Sequence, residues 1–149
     1  MKKDHNIKEK FKHALISTIK VISEEYKKDI KTKKNKISNN FDFIEVENLE
    51  SLENYIKLRA EADSEALKIK FSNKETYNEN VPKNSACKKL YDISEKIRYE
   101  ILGSKMLKGI SKNLNDNYNY ILSNKRKDQL KTKEDVPISE AFEIYMLKN

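Results

Sequence analysis

A chain of 149 residues forms, by length, one domain with room for a modest core. With 37% charged and 37% hydrophobic residues but only two glycines and two prolines, the composition excludes a turn-rich sandwich and favours long helices. The net charge of +7 is unevenly placed: residues 1–36 hold twelve lysines against five acids, residues 37–70 four basic against eight acidic side chains, and the remainder fifteen against eleven.

A basic end followed by an acidic stretch can pair within the fold or with charged partners, and a lysine-rich solvated surface is the plainer reading. The single cysteine, Cys87, excludes an internal disulfide and a multi-cysteine metal site and suits a reducing compartment. Met1–Lys12 is charged and carries no secretory pattern, and no run approaches the roughly 20 apolar residues of a membrane span. The cytoplasm is the expected location.

Ile7, Phe11, Ala14, Leu15, Ile19, Ile22 and Tyr26 share one helical face, which predicts an amphipathic first helix over about residues 7–27. His5 and His13 at its start lack the further convergent ligands a zinc site needs. Residues 27–40 are lysine-rich and without periodicity, a connecting loop. Phe41 to Val46 offers one short strand. The acids Asp42, Glu45, Glu47, Glu50 and Glu53 lack the layout and glycine of a calcium loop and read as a solvated surface.

A second helix is predicted from Asn48 or Ser51, either able to cap it, to Phe71. Its apolar face holds Leu52, Tyr55, Ile56, Ala62 and Ala66, with Arg59 and Asp63 at the middle of that face. Burying either charge alone is costly, so the expectation is that they pair within the fold, engaging Arg98 or Glu100, or contact a partner or ligand. Residues 72–85 are read as a second connecting loop.

The stretch Ala86–Ile121 has apolar or small residues at alternating spacings of four and three and no proline, which predicts one long helix. Its seam runs Ala86, Leu90, Ile93, Ile97, Glu100, Ser104, Leu107, Ser111, Leu114, Tyr118, Ile121. Gly103 near the middle suggests a kink or a crossing helix, since a glycine inside a helix costs about 1 kcal/mol. Cys87 adjoins the seam and is expected to pack there. Lys125, Arg126 and Lys127 read as a helix end favouring cations, with nucleic-acid contact the weaker reading. After Pro137, residues Ser139, Ala141, Phe142, Tyr145 and Met146 predict a short final helix. The fold class is therefore mainly all-α, a long-helix bundle or antiparallel helical hairpin with flanking helices.

The sequence has no GxxxxGK[ST] phosphate loop, HExxH, GxSxG or CxxC, so neither a catalytic residue nor a site for ATP is expected.

Two blocks resemble a known family. Leu58-Arg59-Ala60-Glu61-Ala62-Asp63-Ser64-Glu65-Ala66-Leu67 is similar to the Arg-Gly/Ala-x-Ala-Asp-x-x-Ala-Leu block in the amino-terminal region of the cobaltochelatase subunit CobT. Ile97 to Leu114, with Arg98, Glu100, Leu102-Gly103, Met106 and Asn113-Leu114, resembles that family's Ala-Arg-x-Glu-Ala-Leu-Gly-Ala-x-x-Met-x-Gly-Val-x-x-Asn-Leu stretch. Phe11 to Leu15 and Val136 to Ala141 resemble its opening Phe-Lys-Arg-Ala-Leu and a later Leu-Pro-Leu-x-x-Ala segment.

The resemblance implies a noncatalytic part in aerobic cobalamin biosynthesis, where an ATP-dependent complex inserts cobalt into hydrogenobyrinic acid a,c-diamide. It implies an adaptor that contacts the AAA+ subunit CobS, the large subunit CobN and other copies of itself, with ATP, Mg and cobalt handled by those partners. The Asp-x-Ser-x-Ser motif of the family's von Willebrand A domain does not occur in this sequence, so only the amino-terminal domain is matched and no metal site is carried over. Arg59, Asp63, Arg98, Glu100 and Gly103 are the candidates for holding a helix crossing in register. The alternative readings are a basic helical module for an acidic partner or nucleic acid, and a truncated relic of the subunit.

Overall fold

A computed structural model describes residues 2–24, 49, 51–128 and 136–148. Among these residues there are six helices and no strand: α1 Lys2–Ile22, α2 Leu52–Phe71, α3 Lys74–Asn80, α4 Ser85–Met106, α5 Lys108–Asp128 and α6 Ile138–Lys148. The all-α expectation therefore holds. The predicted strand at Phe41–Val46 and the 27–40 connection lie outside the described residues. The chain forms two compact units, Met1–Lys70 and Phe71–Asn149.

In the first unit, α1 begins earlier than its apolar face predicts and stops at Ile22. Ser23 donates its N–H to the Ile19 carbonyl, and Glu24 takes a left-handed φ of 59°, which ends the helix. Leu15, Ile19 and Ile22 are buried, whereas Ile7 is 56% exposed. Phe11 meets Tyr55 edge to face at 4.9 Å, and Lys70 pairs with Glu24 at 2.7 Å. These contacts join the middle of α1 to the start of α2 and the residue just past the end of α1 to the end of α2, so the two helices run in the same direction. Ser51 starts α2 as expected, its Oγ accepting the Asn54 N–H at 3.3 Å. Ala60, Ala62, Ala66 and Leu67 are buried along α2, while Leu52 at its first position is exposed.

The second unit departs from the sequence reading in two places. Residues 72–85 contain α3, not only a loop. Asn73 caps it, with Oδ1 accepting from the N–H groups of Glu75 and Thr76 at 2.9 and 3.1 Å. No apolar stripe announces α3, because its one large side chain against α4 is Tyr77, whose ring lies tilted at 5.5 Å from that of Tyr91 and whose hydroxyl donates a hydrogen bond to Asp92. Asn84 then caps α4 through the N–H groups of Ala86 and Cys87 at 2.9 and 3.2 Å.

The predicted single helix over Ala86–Ile121 is broken at Leu107, which is extended with φ −137° and ψ 116°. Its N–H donates to the Gly103 carbonyl at 3.0 Å, and its own carbonyl accepts from Ile110 and Ser111 at 3.1 and 3.2 Å. One residue thus closes α4 and opens α5 without leaving its own peptide groups unsatisfied. The kink expected near Gly103 falls four residues later.

α4 packs against both α5 and α6. The seam explains how. Ile97, Glu100 and Ser104 before the break, and Ser111, Leu114 and Tyr118 after it, line one groove, so the two halves of the seam face each other. Ile97, Glu100 and Leu114 are buried, and Ile110 joins them from α5. The seam's outer ends, Ala86 and Ile121, are exposed.

Candidate functional site

The α4–α5 corner is where the second unit concentrates its unusual polar chemistry. Glu100 is 4% exposed, and its Oε2 accepts the Tyr118 hydroxyl at 2.6 Å. Burial and the neighbouring carboxylate push the Tyr118 phenol well above its ordinary range, because a phenolate there would lose solvent and face a like charge. Lys96 Nζ lies 5.3 Å from the centre of the Tyr118 ring and pairs at 3.2 Å with Glu143 of α6. One chain of contacts therefore runs from α6 through α4 to α5. The groove between the arms has a volume of about 350 Å³.

Of the five residues singled out in the sequence, Glu100 and Gly103 sit on the buried side of α4. Arg98 does not join them. It is exposed, and its guanidinium grips Glu95 one turn earlier through two bonds of 2.9 Å and donates to the Phe71 carbonyl at 3.0 Å. Arg98 thereby satisfies the last carbonyl of α2.

In the first unit, Asp63 is buried at 4% exposure and is not without a partner. Arg59 is exposed and makes no ion pair among the described residues, which corrects the expected buried pair. Its Cβ stands on the predicted face, but the long aliphatic stem carries the guanidinium out to solvent. Cys87 is likewise exposed, so the packing role expected for it is not found. It sits in the first turn of α4, beyond the part of the seam that α5 covers. His13 is exposed too.

Sequence reasoning did not anticipate the Lys96–Tyr118–Glu100 arrangement. Its one visible signal was the placing of a glutamate and a tyrosine on the apolar seam. Among the described residues no group of three or more His, Cys, Asp or Glu side chains is arranged to hold a metal ion, and no helix is long and apolar enough to cross a membrane. What the corner offers is an internally bonded helix junction with apolar side chains left outside.

A model of the family described as cobalamin biosynthesis protein CobT matches residues 5–147. No curated protein and no solved structure matches the chain. The family match takes in every helix from α2 to α5 and nearly all of α1 and α6, and with it the chain belongs to the CobT family of cobalamin biosynthesis proteins.

Proposed function

We propose that this chain is a noncatalytic adaptor of the ATP-dependent cobaltochelatase that inserts cobalt into hydrogenobyrinic acid a,c-diamide in aerobic cobalamin biosynthesis. It acts in the cytoplasm by binding the AAA+ subunit CobS and, within the assembly, the large subunit CobN and further copies of itself. ATP, Mg and cobalt are handled by those partners. The observation that carries this reading is the family match over residues 5–147. The helical scaffold of the described residues supports it, since packed helices can transmit motion without supplying bond-making groups. Arg59, Asp63, Arg98, Glu100 and Gly103 are assembly residues in this reading: Glu100 and Gly103 keep the α4–α5 corner in shape, and Arg59, being exposed, is free to meet a partner.

The test is a pull-down of the folded chain with the AAA+ subunit from the same source, in ATP and in ADP, followed by the size of any complex. Nucleotide-dependent binding is expected. A folded chain that binds in neither nucleotide overturns the adaptor reading and leaves the relic or the basic-module alternative.

A further inference from the structure

Around Leu107 the chain leaves four large apolar side chains in solvent: Ile101, Leu102, Met106 and Leu107 are 46%, 39%, 46% and 44% exposed. On α4 the first three share one face, because Ile101 and Leu102 stand one turn before Lys105 and Met106, and Ile97, Glu100 and Gly103 take the buried side; Leu107 follows directly at the break. From Ile101 to Asn115 the sequence holds Lys105, Lys108 and Lys112 and no acid. All three lysines are exposed, and none is paired with a carboxylate among the described residues. Unpaired lysines also occur elsewhere, at Lys10, Lys74, Lys83, Lys88 and Lys89, so what distinguishes the corner is the union of three such lysines with exposed apolar side chains and no acid between Ile101 and Asn115.

We infer that the corner is a docking surface for an acidic amphipathic helix of a partner protein. The helix lays its apolar side against Ile101, Leu102, Met106 and Leu107 and its carboxylates against Lys105, Lys108 and Lys112. The N–H and the carbonyl of Leu107 are both bonded within the chain, so Leu107 offers no free strand edge and a partner meets the corner through side chains.

Charge complementarity selects an acidic partner. A lipid surface fits less well, because it is flat and cannot follow the groove of about 350 Å³ whose edge Ile101 and Lys105 form. Nucleic acid fits less well too, since its phosphates would leave four apolar side chains uncovered and none of the four is an aromatic ring for base stacking. The inference specifies only the chemistry of the bound segment and stands apart from the identity of the AAA+ partner.

The full isotope-labelled chain, observed by two-dimensional NMR, is titrated with a synthetic helical peptide bearing leucines at i, i+3, i+4 and i+7 and glutamates beside them. The same peptide with lysines replacing the glutamates, and phosphatidylserine–phosphatidylcholine vesicles, are the comparison probes. The expected result is that the acidic peptide shifts amides within residues 101–112 and binds at least about tenfold tighter than the basic one. Lys105→Glu with Lys108→Glu, both exposed, reverses that preference, and Leu102→Ser with Met106→Ser weakens binding about tenfold at an unchanged melting temperature. Equal binding of the two peptides, shifts mapping to other residues, or binding to vesicles alone overturns the inference.

Discussion

The hydroxyl of Tyr118 donates a 2.6 Å hydrogen bond to Oε2 of Glu100, a residue on the other side of the break at Leu107. The bond spans the corner and lies in a mostly buried setting, with Glu100 itself 4% exposed. A carboxylate taken out of water needs its donors, so this bond favours the closing of α4 on α5.

Tyr118→Phe keeps the ring, its place beside Lys96 and its apolar contacts, and removes one donor to Glu100. Hydrogen bonds to charged groups contribute about 1.5–3 kcal/mol, and the variant is expected to lose stability in that range. Urea unfolding of the variant and the parent measures it. A midpoint equal to the parent's would show that the bond does not hold the corner.

The same phenol sets an alkaline limit. Its folded pKa stands above the ordinary value of 10.0, so above about pH 10 the unfolded chain releases a proton that the native chain still holds. The unfolded state then binds fewer protons, and stability falls as pH rises, by up to about 1.4 kcal/mol per pH unit. Below pH 10 the contribution is fully present. The parent should lose stability above that pH more steeply than Tyr118→Phe, and denaturant midpoints across the alkaline range compare the two. Parallel curves would contradict the assignment.

Much of this fold is legible in the sequence, and the misses have identifiable causes. The 3.6-residue period finds α1, α2 and the helical character of α4 and α5, because each buries one face. It misses the break at Leu107 for a geometric reason. When two halves of a helical stretch fold back on each other, both present the same seam, so the pattern continues across the corner as if the helix were straight. Leucine at the corner is moreover a good helix former, and no proline marks the site. The period gives a direction for Arg59 but not the reach of its side chain. The bond between Glu100 and Tyr118 is non-local, and spacing along one helix does not show which residues meet across a corner.

Arg59 and Asp63 give a further test, because the exposure of one separates two residues that share a helix face. Were Arg59 buried against Asp63, Asp63→Ala would strand a charge at a cost of about 3–5 kcal/mol. With Arg59 exposed, Arg59→Ala is expected to stay within about 0.5 kcal/mol of the parent. Asp63→Ala should still cost about 1–3 kcal/mol, because Asp63 is buried and has a partner that the substitution would leave behind. A double-mutant cycle is therefore expected to show coupling below about 0.5 kcal/mol. Strong coupling would mean that the two side chains meet in solution.

Gly109 offers a change of opposite sign. It is the second residue of α5, it does not adopt a positive φ, and a Cβ built on it meets nothing within 4 Å. Its conformational freedom is thus unused in the folded chain, while it adds entropy to the unfolded one. Gly109→Ala should stabilise by about 0.5–1 kcal/mol, toward the lower end because the first turn of a helix gains less from propensity than the interior. In a chain of this size that is a rise of about 1–4 °C in Tm. The denaturant slope should not change, since the surface exposed on unfolding is nearly the same. A fall in Tm would show that the corner flexes at Gly109 and that this freedom is needed to seat α5 against α4. Gly109→Ala would then become the variant with which to ask whether partner binding depends on that movement.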